Sequence, residues 1–516
     1  MSVTGEFFGR KRELKQLRAI WDKPAADLVF IRGRRRVGKS RLLRHLAADE
    51  HKPGGRAFFF TGRVDETDVA CRERFARDFD AFTGKSSLTS LRRSALSWDR
   101  ILTEVSRHAA ELSAQAGPKL LLIIDEIQWL AKRHSGVLGA LKEFWEKTHP
   151  VTPIKVLISG SSNRFFAASV DHSEGVLRGL RTKGDVVVSP FNLAEVAAYY
   201  FPTWTREQVA LVYMLLGGVP YYLEQLSDTS NFLRSLNNAL FSSQSIFLGE
   251  IDAVLKVETA GKGALENVKR VLAALGQDGS TEARIAETTG LGQTSIHDIL
   301  GRIESYGIVR ERLPFGAKRE RKRDVRYYMD DFYLNTYFQI LRPLMPRIQS
   351  NTSGGMLVKE VITSAEGYYI GDFSGKAFEL LVMHVLNAGI ADTAARDAPI
   401  FRILELGDAT FEVATYWEHG QTQIDILVSC DDDRQVRVLE AKWKASTLTA
   451  AETGVFIKAV AEKTFPLPSK TWSRRNLLIL SNGLSPNGME RAMEAHVGVL
   501  KLEHLFGEHA RTDVPS

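Results

Sequence analysis

The residues best suited to do chemistry lie between Gly33 and Ser40, GRRRVGKS, after the apolar run LVFI and before RLLRHLA. Glycines at both ends let backbone N–H groups turn inward, and the first turn of a following helix adds positive potential, so a polyphosphate is the natural ligand. Lys39 supplies a point charge to the β- and γ-phosphates, and the Ser40 hydroxyl can ligate Mg²⁺. Together with Arg34, Arg35, Arg36, Val37, Gly38 and Arg41, this is a complete Walker A pattern in its strand–loop–helix context, which predicts bound ATP and Mg²⁺.

A hydrolytic site needs an acidic strand end beside that loop. LLLIIDEIQWL provides Asp125, expected to hold Mg²⁺ through water, and Glu126, expected to polarise the attacking water. VLISGSSNRFF ends another apolar run at Ser159, Ser161 and Asn163, and Ser161 or Asn163 could contact the γ-phosphate or the water. Arg178 or Arg181 could reach a phosphate, in cis or across a subunit boundary, because guanidinium groups stabilise the charge spread over a transferring phosphoryl group.

A second constellation lies near the C-terminus. QIDILVS carries Asp425, and VRVLEAKW carries Glu440 and Lys442. Alternation along a strand puts Glu440 and Lys442 on one face, and a hairpin could bring Asp425 beside them. Two carboxylates and a lysine at one point are costly to bury. A divalent ion accounts for them: the acids ligate Mg²⁺, and the lysine orients or activates the water that attacks a phosphodiester. GKAFELLVMHVL reads as a helix carrying Glu379, a further metal-site acid, whereas Trp417 and Trp443 read as core.

The elements that must position these residues divide the chain of 516 residues into about three domains. Residues 1–225 alternate apolar runs with amphipathic stretches, the pattern of a parallel sheet covered by helices. Its strands are expected at Leu28–Arg32, Arg56–Thr61, Lys119–Asp125, Lys155–Gly160 and Gly184–Ser189. Residues 226–345 hold a helical segment and then helix, turn, helix and two strands. There Ile296, Ile299, Leu300 and Ile303 fall on one helical face, and a basic loop carries Lys318, Arg319, Arg321, Lys322 and Arg323. This reads as a winged helix whose basic wing suits a phosphate backbone, with DNA as the expected partner. After the polar linker Gln349–Gly355, residues 356–516 carry strands of their own at Phe411–Trp417, Gln423–Ser429, Val436–Ala441 and Asn476–Ser481.

Composition excludes other classes. Hydrophobic residues make 44% and charged residues 25%, so a disordered or fibrous chain is excluded. Net charge is +6, which permits nucleic-acid binding without demanding it. The two cysteines, Cys71 and Cys430, lack metal or disulfide spacing and fit a reducing cytosol. No apolar stretch approaches the roughly 20 residues of a membrane span, so a cytoplasmic protein without membrane contact is expected.

FFGRKREL (Phe7–Leu14), the Walker A loop, IIDEIQWL, ISGSSN and GGVPYYL (Gly217–Leu223) occur in an order that resembles the archaeal-type ATPase family, in the STAND branch of AAA-like P-loop ATPases. The resemblance implies that Gly9, Arg10 and Glu13 belong to the nucleotide pocket and Pro220 to a lid. The helix Glu379 followed by D…ExK resembles the PD-(D/E)xK restriction-endonuclease-like superfamily, although Ile424 rather than proline precedes Asp425. The expected architecture is therefore α/β multidomain: a P-loop AAA-like parallel sheet with helices, a helical and winged-helix middle, and an α/β restriction-endonuclease-like C-terminal domain. The expected function is an ATP-driven switch coupled to DNA binding and Mg²⁺-dependent phosphodiester cleavage. Its rivals are an ATP-gated sensor or scaffold with an inactive last domain and a DNA remodeller; a homo-oligomer or a protein partner fits each.

Overall fold

The computed structural model describes residues 7–48, 56–114, 119–131, 136–180, 183–226, 230–256, 262–317, 325–350, 357–359, 361, 370–418, 422–444 and 446–507. The chain forms two compact units that divide between Pro190 and Phe191.

In the first unit, β1 (Asp27–Arg32), β2 (Ala57–Thr61), β3 (Leu120–Asp125), β4 (Ile154–Ser159) and β5 (Val186–Val187) form a parallel sheet in the order β2-β3-β4-β1-β5. Strands buried on both faces read as unbroken apolar runs, which is why LVFI and LLLII lie at its centre. Alternation sends Leu28, Phe30, Leu122, Ile124 and Val156 into a layer with Phe75, Phe79 and Trp98. It sends Val29, Ile31, Leu121, Ile123 and Leu157 into the opposite layer with Leu14, Leu17, Leu42 and Leu43. Each such side chain contributes about 1.5–3 kcal/mol by leaving water. The fifth strand is shorter than the expected Gly184–Ser189. Asp185 turns to the Arg32 guanidinium at 2.6 Å, and Pro190 has no N–H to extend a ladder.

Register sets Ile31 beside Ser159 and Thr61 beside Asp125. The carboxyl ends of β1, β3 and β4 therefore share one sheet edge, where ligands of open α/β sheets bind.

The second unit begins with helices that include Leu193–Tyr199, Arg206–Leu216 and Lys262–Ala274. The expected winged helix follows. Helix Glu282–Thr289 ends at Gly290 (φ 66°), and helix Gln293–Ser305 buries Ile296, Ile299, Leu300 and Ile303. β6 (Val309–Arg312) and β7 (Arg326–Met329) pair antiparallel. The basic loop residues Lys318, Arg319, Arg321, Lys322 and Arg323 lie outside the described residues, as does most of the expected linker.

A long helix, Ile370–Ala391, then leads to a mixed sheet of β8 (Phe411–Glu418), β9 (Thr422–Cys430), β10 (Gln435–Lys442), β11 (Ser473–Leu480) and β12 (Gly498–Lys501). Its order is β12-β11-β10-β9-β8; β8 to β10 are antiparallel, and β10 to β12 parallel. The parallel pairs need crossovers, supplied by helices Ala450–Glu462 and Pro486–Glu494. No helix among the described residues is long and apolar enough to cross a membrane.

Candidate functional sites

The loop after β1 is built on backbone geometry that its residues dictate. Gly33 has φ +151°, and a Cβ there would lie 2.2 Å from the Val188 carbonyl oxygen, so only glycine fits. Gly38 (φ 93°) caps the helix Lys39–Ala47. Arg36 also takes a positive φ of 72°. Lys39 is buried, its Nζ donating to the carbonyls of Gly33 at 2.7 Å and Arg34 at 2.9 Å. Burial pulls its ammonium down to about 8, although Glu126 and Asp125 pull the other way.

At the neighbouring strand end, Ser40 Oγ donates to Asp125 Oδ2 at 2.7 Å, and Ser159 Oγ donates to Asp125 Oδ1. Two hydroxyls and a carboxylate, all oxygen donors, are the ligand chemistry that Mg²⁺ takes. Glu126 sits in the left-handed region (φ 54°). Ser161 Oγ donates to its Oε2 at 2.8 Å, as does Gln128 Nε2, which also donates to Ser161 Oγ at 3.1 Å. Gln128 Oε1 is buried without a hydrogen-bond partner among the described residues. The role of Gln128 was not anticipated from the sequence, although its place two residues after Glu126 in IIDEIQWL puts it within reach.

Arg10, caged at the start of helix Lys11–Trp21, donates to the carbonyls of Val37 at 2.7 Å and Ser189 at 2.6 Å, and to Glu13 at 3.1 Å. It braces the phosphate loop from behind. Gly9 beside it takes φ 69°. The Arg41 guanidinium lies 5.8 Å from the Phe8 ring, and Phe7 stacks on His45 at 3.9 Å. Arg178 is exposed, Arg181 lies outside the described residues, and nothing is described for the Asn163 side chain. Pro220 opens a short helix, Pro220–Leu223, in the second unit. The glycines before it are required locally: Gly217 has φ +65°, and a Cβ on Gly218 would lie 1.7 Å from the Phe191 carbonyl oxygen.

The C-terminal acids come from three elements. The β9–β10 register ends with Leu439 opposite Ile426, and Glu440 and Asp425 are the next residue of each strand. Helix Ile370–Ala391 adds Glu379. Each acid is engaged by lysine. Lys376 Nζ lies 3.0 Å from both Glu379 Oε2 and Asp425 Oδ1, while Glu440 meets Lys442 at 2.7 Å and Lys463 at 2.6 Å. Lys376 and Lys463 were not anticipated; the one-turn spacing of Lys376 from Glu379 was the available signal.

Burial raises the Glu379 carboxyl to about 8, helped by the Asp425 charge. Burial would raise Asp425 too, but the Lys376 ammonium outweighs it and holds that carboxyl below its usual range. Among the described residues, no three His, Cys, Asp or Glu side chains are grouped closely enough to hold a metal ion together. A cavity beside Lys376, Glu379 and Asp425 is also lined by Arg312 and Tyr328 of the winged helix.

Residues 337–453 match a family described as archaeal and bacterial proteins of unknown function. An uncharacterized protein of Methanocaldococcus jannaschii is 23% identical over 441 residues, 85% of this chain and 88% of that protein. Among solved structures, a Walker-type ATPase of Pyrococcus abyssi is similar at TM-score 0.45 and 19% identity, over 65% of this chain and 96% of that one. The ORC2 protein of Aeropyrum pernix is similar at TM-score 0.41 and 13% identity, over 66% and 95%. The match that carries the phosphate loop, the acidic strand end and GGVPYYL spans residues 7–226, which match the family described as ATPase domain predominantly from Archaea.

Proposed function

We propose that the chain is an ATP-hydrolysing switch whose second unit binds DNA and cleaves its phosphodiester backbone with Mg²⁺. At the first site Lys39 would bind the β- and γ-phosphates, and Ser40 and Asp125 would hold the magnesium ion. Glu126, oriented by Ser161 and Gln128, would accept the proton of the attacking water. An ion bound there would neutralise charge on the phosphates.

The observation that supports the nuclease reading is that Glu379 of the helix and Asp425 of β9 share Lys376, while Lys442 lies beside Glu440 on the neighbouring strand β10. The acids supply the hard oxygen ligands that Mg²⁺ favours. Lys442 Nζ would orient a water toward the phosphorus. The exposed Gln293, Thr294, Ser295, His297 and Asp298 of the winged helix would face a groove.

One observation favours a second reading, an ATP-gated sensor or scaffold whose last domain does not cut. Every one of the three acids is already paired with a lysine, Glu379 and Asp425 sharing Lys376.

Linear, supercoiled and single-stranded DNA incubated with Mg²⁺ or Mn²⁺, with and without ATP, separates the two. Cleavage abolished by Glu440→Ala or Asp425→Asn, and altered by ATP only when Lys39 is present, is expected for the first. Absent cleavage with ATP hydrolysis retained selects the second.

A further inference from the structure

The cavity beside Glu379 and Asp425 is lined both by the β6–β7 hairpin and by the mixed sheet with its long helix, all within the second unit. Phe315 N donates to the Thr415 carbonyl at 2.8 Å, and Pro314 bridges to Thr415, so the segment just after β6 meets β8. Arg326 lies over Trp417 at 4.8 Å, and Phe315 meets Phe465 at 6.0 Å. Lys376 Nζ approaches Asp278, from the turn that precedes helix Glu282–Thr289, at 3.4 Å.

Arg312, the last residue of β6, lines this cavity together with Lys376, Glu379 and Asp425. Its guanidinium is fixed in place: it stacks over Tyr328 at 4.5 Å, and Nη1 donates to Met383 Sδ at 3.2 Å. A thioether is a weak acceptor for such a donor. Its Nε is buried and has no hydrogen-bond partner among the described residues. A held guanidinium with an unpartnered Nε and a weakly engaged Nη1, on a cavity lined by a lysine ammonium as well as by Glu379 and Asp425, is a candidate partner for a tetrahedral oxyanion. The carboxylates beside it are already paired with Lys376, which leaves Arg312 as a cation of this cavity with a donor, Nε, still to be satisfied.

We infer that Arg312 is a phosphate-binding residue of the C-terminal site, so that this site takes a phosphodiester of a nucleic-acid strand only when assembled from the winged helix and the mixed-sheet domain. The inference rests on the nuclease reading above and adds to it a residue contributed by the β6–β7 hairpin. Arg312 acts by seating the strand; the carboxylates and Lys442 are left to the chemistry.

The test is the affinity of the full chain for a short DNA duplex in EDTA, where no metal-dependent step contributes, measured by anisotropy over a range of salt. Removing one phosphate contact is expected to weaken binding about tenfold at low salt and to reduce the slope of log affinity against log salt by about 0.9. Arg312→Gln should produce both changes, and Arg312→Lys should restore the slope but not the full affinity, since the charge returns without the fork. The lysine variant also keeps the test usable if the glutamine variant unfolds. A residue that only packs on Tyr328 would lower the melting temperature and leave the slope unchanged. Wild type that cuts DNA while both variants match it in affinity and slope overturns the assignment of Arg312 alone. Wild type that neither binds nor cuts DNA overturns the nuclease reading and this inference together.

Discussion

Ser40 Oγ donates to Asp125 Oδ2 at 2.7 Å across 85 residues of sequence, tying the first turn after the glycine loop to the end of β3. Asp125 is held from its other side by Ser159. Asp125→Asn keeps the shape and removes the charge an ion needs. It is expected to lower kcat for ATP hydrolysis about a hundredfold with little change in nucleotide affinity measured in EDTA. Phosphate release at the wild-type rate would remove Asp125 from the ion-holding role.

The lowered Lys39 gives a pH dependence with a definite sign. Its folded value of about 8 lies below the ordinary 10.5, so between these values the folded chain binds fewer protons than the unfolded one. The stability from this group is present above 10.5 and is lost as pH falls through about 8. A triphosphate reverses the balance by favouring the charged amine. At about pH 8, nucleotide binding should take up roughly half a proton, and affinity should decline as pH rises further. Titration calorimetry in buffers of different ionisation enthalpy measures the uptake, which Lys39→Met should abolish.

Gly218 separates backbone clash from ordinary glycine replacement. Its Cβ would meet the Phe191 carbonyl, with no flexible side chain to move aside. Gly218→Ala is expected to destabilise by about 3 kcal/mol in denaturant unfolding. Gly139, in the first turn of helix Val137–Thr148, has nothing within 4 Å of an added Cβ, and Gly139→Ala should stabilise by about 0.5 kcal/mol. Equal effects at the two positions would contradict the packing described for GGVPYYL.

Lys155 and Asp27 form a buried pair at the start of β4 and β1, with Lys155 Nζ also donating to the Ala25 carbonyl at 2.6 Å. Asp27→Leu alone strands a buried ammonium and should cost about 3–5 kcal/mol. Adding Lys155→Met should recover most of that loss, because both charges then leave the interior. A double variant as unstable as the single one would show that the pair does more than neutralise itself.

Lys376 sits where a cation is wanted, between Glu379 and Asp425. Lys376→Met leaves the two carboxyl groups facing each other. Its melting temperature in EDTA is expected to fall, and Mg²⁺ should raise it by more than in wild type. An equal Mg²⁺ response in the two proteins would separate the lysine from the ion-binding position.

Local chemistry made part of this protein legible from sequence. GRRRVGKS specifies much of its own loop, because the positive φ at Gly33 and Gly38 favours glycine. The spacing of Ile296, Ile299, Leu300 and Ile303 determined which face of their helix is buried, since 3.6 residues per turn is a property of the backbone. The alternation in β9 and β10 likewise put Glu440 and Lys442 on one face. The short edge strand Gly498–Lys501 was not foreseen: half-buried, and paired only with β11, it carries too weak a pattern.

Only the tertiary structure decided which distant groups meet. Gln128 reaches Ser161, Lys376 stands between Glu379 and Asp425, and Arg312 at the end of β6 lines one cavity with those two acids. Periodicity states which side of an element is buried, and nothing in it states which element lies against that side. Strand order, register and the docking of one domain on the next set those distances, and they follow from the summed packing of the whole chain.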